Sequence, residues 1–134
     1  MKHDRLACLA AILAALAAAP TAAQERAPAP SGASLYASYC SACHGATGEG
    51  DGPVAAVMTV TVPNLRTLAM RSGGTFPTES VTEYVDGTRF PAAHGSRQMP
   101  IWGEVFEWDA DGLARERARE RIDAIVAYLA EIQY

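Results

Sequence analysis

Cys40, Cys43 and His44 bring two thiols and an imidazole within five positions of a 134-residue chain that holds only three cysteines and three histidines. Spaced at i, i+3 and i+4, they project from one face of a helix. That arrangement suits a disulfide, a bound metal ion, a thiol redox site, or joint attachment to one cofactor. The continuation GATGEGDGP turns the chain tightly just beyond them.

The N-terminus bears on which chemistry applies. MKHDR supplies Lys2 and Arg5, the apolar run LACLAAILAALAAA follows, and Thr21-Ala22-Ala23 offers small residues for cleavage. This is the pattern of a secretory signal peptide over residues 1–23, too short for a lasting membrane span and followed by polar QERAPAPSG. Cys8 sits near the start of the apolar run and leaves with it. About 111 residues remain, enough for one domain and one modest core. Cleavage moves the formal charge from -4 to -5 and leaves nine arginines and no lysine. Such a chain gains nothing from counter-ion release on nucleic acid or from an anionic membrane surface. The expectation is a periplasmic protein with no nucleic-acid partner and no permanent membrane span once the signal is cleaved.

In an exported chain a lone C-x-x-C closes too short a loop to stabilise much as a disulfide. A zinc ribbon needs a second pair, a thioredoxin-like site needs a β-α-β setting, and blue copper needs Cys, His and Met late in an all-β chain. The sequence offers neither a second pair nor convincing strands. The histidine directly after the pair completes C-x-x-C-H, the attachment signal for c-type haem. Two thiols add across two vinyl groups, and the imidazole reaches the iron from the same side. A redox-active or structural disulfide is the alternative.

With CSACHG, the following GEGDGP, then HGSRQMPIWGEVF and a final IVAYLAEIQ, the chain from about Ser31 to Tyr134 resembles the class I c-type cytochromes of bacterial periplasms. The resemblance implies an all-α fold of about four helices wrapped around one covalently attached haem c per chain. It implies axial iron ligation by His44 and Met99, the latter lying 55 residues further on and directly before Pro100. A thioether in that position raises the reduction potential relative to a second imidazole. Pro53 would offer its carbonyl to the outer nitrogen of His44, fixing tautomer and ring plane. His94 is the rival sixth ligand, and an open iron is a third arrangement. Met58 lies close to the attachment site and Met70 falls on an expected helix, so both are set aside. Trp102 is a candidate for the haem edge, and Arg89 and Arg97 are candidates for the propionates. The implied function is single-electron transfer between periplasmic redox proteins, such as a dehydrogenase, an oxidase or another cytochrome, without substrate chemistry. The alternatives are an electron-accepting subunit of a dehydrogenase or oxidase complex and, with Met99 unbound, a haem-based gas binder or peroxidase.

These side chains need elements to position them. Residues 24–31 are rich in proline and alanine and form a flexible leader before a cytochrome c domain over residues 32–134. Ser31 caps a first helix to about His44, with Leu35, Tyr36, Tyr39, Cys40 and Cys43 at helical spacing. Asn64 caps a helix to about Arg71, and Thr78 caps another to about Asp86 that Gly87 ends. Arg89 to Trp108 shows no sustained period and is expected as an irregular loop over an apolar object. DADG then turns the chain into a long final helix. Its first half, ARERARER, is a solvated face, whereas Ile122, Ile125, Val126, Leu129 and Ile132 form a stripe that must be buried. In the family the two terminal helices cross, which brings this stripe to Leu35, Tyr36 or Tyr39.

Overall fold

The computed structural model of the chain describes residues 29–89, 97–108 and 114–134. The expected signal peptide, most of the leader, His94 and the DADG turn lie outside the described residues. Among those described there are six α-helices, two short 3-10 turns and no strand, so the chain is all-α.

The expected first helix forms as two. In α1 (Gly32–Tyr39) the Ser31 hydroxyl accepts from the Ser34 amide at 3.2 Å, which satisfies one of the exposed first-turn donors. Cys40 then departs to φ -114°, and the single turn α2 (Ser41–His44) follows. After a 3-10 turn at Ala55–Val57, a second begins at Leu65, where the Asn64 side chain accepts from the Arg66 amide at 2.9 Å, and it runs into α3 (Leu68–Arg71). The next helix, α4 (Thr78–Asp86), differs from the sequence expectation at its start. Thr78 is its first residue and not its cap, and Pro77 before it makes no side-chain cap bond. Gly87, in the left-handed region at φ 96°, ends it as expected.

A larger correction falls on the expected irregular loop. Its final seven residues form α5 (Trp102–Trp108). Pro100 and Gly103 hide this helix from any propensity rule, yet packing makes it. Trp102 and Phe106, one turn apart, both meet Tyr39, with ring centroids at 5.4 and 5.1 Å. Gly103 lets the helix approach α4 closely: a Cβ there would stand 2.7 Å from the Asp86 carbonyl oxygen.

The last helix, α6 (Ala114–Glu131), is the centre of the packing and contacts α1, α4 and α5. Its Ala118, Ile122, Ile125, Val126 and Leu129 are buried with Leu35 and Tyr36 of α1, Val85 of α4 and Phe106 of α5. Each large side chain in this set contributes about 1.5–3 kcal/mol by leaving water. The crossing of α1 and α6 is set by Gly32, where a Cβ would run into the Ala124 carbonyl and come within 2.9 Å of the Tyr128 Cβ. One turn further, the Tyr36 and Tyr128 rings meet with centroids 5.3 Å apart.

Beyond α6 the chain latches onto the Asn64–Ala69 segment. Gln133 donates to the Leu65 and Leu129 carbonyls at 2.9 and 2.6 Å and accepts from the Ala69 amide at 2.9 Å. Arg66 donates to the Ile132 carbonyl at 3.1 Å, pairs with Glu49 at 3.3 Å, and lies 4.1 Å from the centroid of the Tyr134 ring. Tyr134 closes the circuit by donating its hydroxyl to Glu49 at 2.9 Å and its amide to the Arg66 carbonyl at 3.1 Å.

Candidate cofactor site

The Cys40–His44 turn is fixed by the glycine loop that follows it. The Gly50 amide returns to the His44 carbonyl at 2.8 Å, Gly52 to Cys43 at 3.1 Å, and Val54 to Ala42 at 2.9 Å. Gly52 lies so close to this turn that a Cβ would sit 2.6 Å from the Cys43 carbonyl carbon and oxygen. The loop therefore folds back along the backbone of the attachment motif.

Cys40, Cys43 and His44 all line a cavity of about 760 Å³, and their two thiols are not joined. Met99 and Trp102 line the same cavity, as does Arg89, although Arg89 also donates to Ser80 at 2.7 Å and pairs with Glu83 at 3.3 Å. Apart from Pro53, and from His94 outside the described residues, the site residues singled out in the sequence, Arg97 among them, thus line one space. Val60, Val62 and Leu65 contribute apolar walls from the loop side, Val81 and Val85 from α4, and Ile125 and Leu129 from α6.

Pro53 is not among the lining residues and is exposed. The carbonyl facing His44 belongs to Pro63: its oxygen stands 3.3 Å from Nδ1. This corrects the expectation of Pro53, and the cause is local. Gly52 and Val54 commit the chain around Pro53 to the carbonyls of Cys43 and Ala42, whereas Leu65 bonds back to Gly48 at 2.7 Å and brings the Val62–Asn64 stretch beside the imidazole. A signal was present in Pro63-Asn64, a proline directly before a capping asparagine. Because a carbonyl only accepts, the bond requires the proton on Nδ1 and leaves the Nε2 lone pair available.

Burial lowers the pKa of His44, opposed by its bond to Pro63, and so favours the neutral imidazole that a metal needs. Burial foremost, and Cys43 beside it, push the Cys40 thiol up to about 11, so it is protonated at neutral pH. Among the described residues the charged side chains lining the cavity are Arg71, Arg89 and Arg97, with no carboxylate. Apolar walls, a neutral imidazole, a thioether and a cationic border fit a large, flat apolar ring that carries carboxylate groups. The volume lies within the roughly 300–1,000 Å³ of small-molecule and cofactor sites. No group of three His, Cys, Asp or Glu side chains among the described residues is placed to hold a bare metal ion.

Two features were not anticipated. Met58 lines the cavity as well. Arg97, expected near propionates, turns to backbone oxygens: its Nε donates to the Met99 carbonyl at 2.7 Å and a terminal nitrogen reaches the carbonyls of Pro100 and Tyr84. Neighbouring Gln98 donates to the Thr59 hydroxyl, which ties the Met99 segment to the loop that carries Met58.

Among protein families, the one described as cytochrome c oxidase, cbb3-type, subunit III matches residues 27–115 of this chain. No curated protein and no solved structure matches it. The family match ends at the start of α6, so most of the helix that buries the core lies beyond it.

Proposed function

We propose, from the premise that the chain belongs to the cytochrome c oxidase, cbb3-type, subunit III family of c-type cytochrome domains, that it carries single electrons between redox proteins in the periplasm. Electron transfer is the chemistry of a c-type cytochrome domain, and haem supplies it by cycling its iron between ferric and ferrous states. In the proposed arrangement Cys40 and Cys43 hold the haem through thioethers, each S–H adding across a vinyl group without loss of atoms. His44 and Met99 are the axial ligands of one haem. The Pro63 carbonyl holds the Nδ1 proton of His44 and so orients the ring, while Arg71 and Arg89 border the carboxylate end. The cytochrome domain spans residues 32–134, following a signal peptide over 1–23 and a leader over 24–31.

One observation carries this proposal: the attachment motif and a Met-Pro segment 55 residues away line one apolar cavity. The measurement that tests it is the ferric spectrum of the isolated protein together with its intact mass. The expected result is a mass above the polypeptide by one haem, colour that survives acid-acetone extraction, and a weak far-red sulfur-to-iron band that Met99→Ala abolishes. Extractable colour overturns the covalent attachment. A band that survives Met99→Ala overturns the ligand assignment.

The second proposal is that the chain works as the electron-transferring subunit of an oxidase or dehydrogenase complex. It is favoured by the description of the matching family and by an uncharged surface. Residues 53–64, PVAAVMTVTVPN, contain no charged side chain, and Val57 and Val60 within them are 79% and 53% exposed. This segment borders the cavity at Met58 through Pro63, where apolar docking would bring a partner close to the bound group. The size at which the protein runs from its native source separates the two proposals: about 12 kDa for a free carrier, much larger for a subunit. No helix among the described residues is long and apolar enough to cross a membrane.

A further inference from the structure

We propose that Arg97 is the positioning residue for Met99: its guanidinium fastens the Met99-Pro100 segment to α4 and holds the thioether in place. This rests on the proposed ligation by Met99. Among the described residues, Arg97 to Pro100 form no helix or strand and make no backbone–backbone hydrogen bond. The side-chain bonds of Arg97 bear directly on where the segment lies. Arg97 Nε donates to the Met99 carbonyl at 2.7 Å. One terminal nitrogen donates to the Pro100 carbonyl at 3.3 Å and to the carbonyl of Tyr84. The guanidinium carbon also lies 5.0 Å from the centroid of the Tyr84 ring, within cation–π range.

Two of the three carbonyls belong to the segment and the third belongs to α4, whose Val85 is in the core. The clamp thus joins an irregular segment to an anchored helix. A planar fork with several donors spans carbonyls on two elements; the single nitrogen of a lysine does not. Gln98 adds a second side-chain tie of the segment, to exposed Thr59, and its single neutral bond is the weaker one.

An iron–thioether bond is weak enough for the segment to open transiently, and an added ligand binds only the open form. Its apparent affinity scales with the open fraction. Loss of one hydrogen bond from a charged donor corresponds to about a ten- to hundredfold change in such an equilibrium.

The test titrates imidazole into the haem-loaded ferric protein and follows the far-red band and the thermal midpoint. Arg97→Gln is expected to bind imidazole about tenfold or more tightly than the wild type, with a weaker band. Arg97→Lys is expected to restore part of the difference and is the variant to read if Arg97→Gln does not fold. Arg66→Gln, which loosens the C-terminal latch, is expected to lower the thermal midpoint without changing imidazole affinity. Should Arg97→Gln lower the midpoint as Arg66→Gln does and leave imidazole affinity unchanged, Arg97 is structural only and the proposal is overturned while the ligation stands. Should Met99→Ala leave both the band and the imidazole affinity of the wild type unchanged, Met99 is not the ligand, and the ligation and the proposal fall together.

Discussion

The Tyr36 hydroxyl, in a side chain only 1% exposed, donates to the Gly45 carbonyl at 2.6 Å and so joins α1 to the first glycine after His44. Burial foremost, and then the neighbouring Cys40, Tyr128 and Asp51, raise its pKa well above the usual phenol value. The sign of the pH effect follows. An unfolded phenol ionises near pH 10 and the folded one much later, so the contribution of Tyr36 to stability is complete below about pH 10 and is lost as the pH rises towards the folded value. Tyr36→Phe is expected to lower stability at pH 7 by about 1 kcal/mol and to flatten its decline above about pH 10. Denaturant midpoints measured across that range check both effects. At this scale the attachment motif is legible because its chemistry is contiguous: Cys40, Cys43 and His44 need only one turn of helix to meet. The carbonyl partner of His44 is not, since Pro53 and Pro63 both follow the motif and only the return of Leu65 to Gly48 selects Pro63.

Helices and their ends hold the molecule through a few dense crossings. Gly32→Ala inserts a methyl group against Ala124 and Tyr128 and is expected to cost about 1–3 kcal/mol, seen as a lower thermal midpoint with the spectrum unchanged. In the C-terminal latch, Gln133 makes three hydrogen bonds at once. Gln133→Ala is expected to expose the Ala69 amide to exchange with solvent, because that donor loses its partner, and to cost about 1–3 kcal/mol. Amide exchange at Ala69, compared with an amide inside α6, tests this directly. The long last helix was legible from its apolar stripe and the first from its Ser31 cap, both local patterns. Helix α5 was not: a glycine and a nearby proline argue against it, and what forms it is contact with Tyr39 and Asp86, distant in sequence. The split at Cys40 was hidden for a similar reason, since an apolar pattern does not register one non-helical residue.

Over the whole molecule, the buried side chains of the described residues gather where α1, α4, α5 and α6 meet, with Met99 packed against them, and Met58 and residues 60–63 line the cavity beside this core. Cys40→Ser combined with Cys43→Ser is expected to remove the proposed covalent attachment. In that variant amide protection is expected to persist in α1 and α6 and to fall in residues 58–65 and 97–100, whose apolar side chains face the cavity. The surface divides similarly. A net charge of -4, or -5 with the proposed cleavage, would draw basic partners from a distance, while the bordering segment 53–64 carries no charge. Association with a redox partner is therefore expected to slow with added salt only at low ionic strength and then to level off, as screening shortens the reach of charge to about 8 Å near 0.15 M. Val57→Asp is expected to slow association at every salt concentration without lowering stability, since Val57 is 79% exposed. Stopped-flow reduction across a salt series reads both effects. The all-α class was legible through the family resemblance, whereas the uncharged rim became visible only once the loop was placed beside the cavity.

The close approach of Gly52 to Cys43 also imposes an order in time. In the folded protein the backbone of Cys43 and Ala42 is already engaged by Gly52 and Val54, so an enzyme that grips the motif along its main chain finds that side covered. A loop of about ten residues closes in about 10–100 ns, far faster than such an enzyme arrives by diffusion. Closure before attachment would leave that side of the motif covered. Gly52→Val, which blocks the approach, is expected to leave covalent haem incorporation at the wild-type level and to shorten the life of the finished protein, as measured by haem yield and by resistance to protease. The close approach of Gly52 is thus expected to bear on the lifetime of the finished protein and not on its assembly.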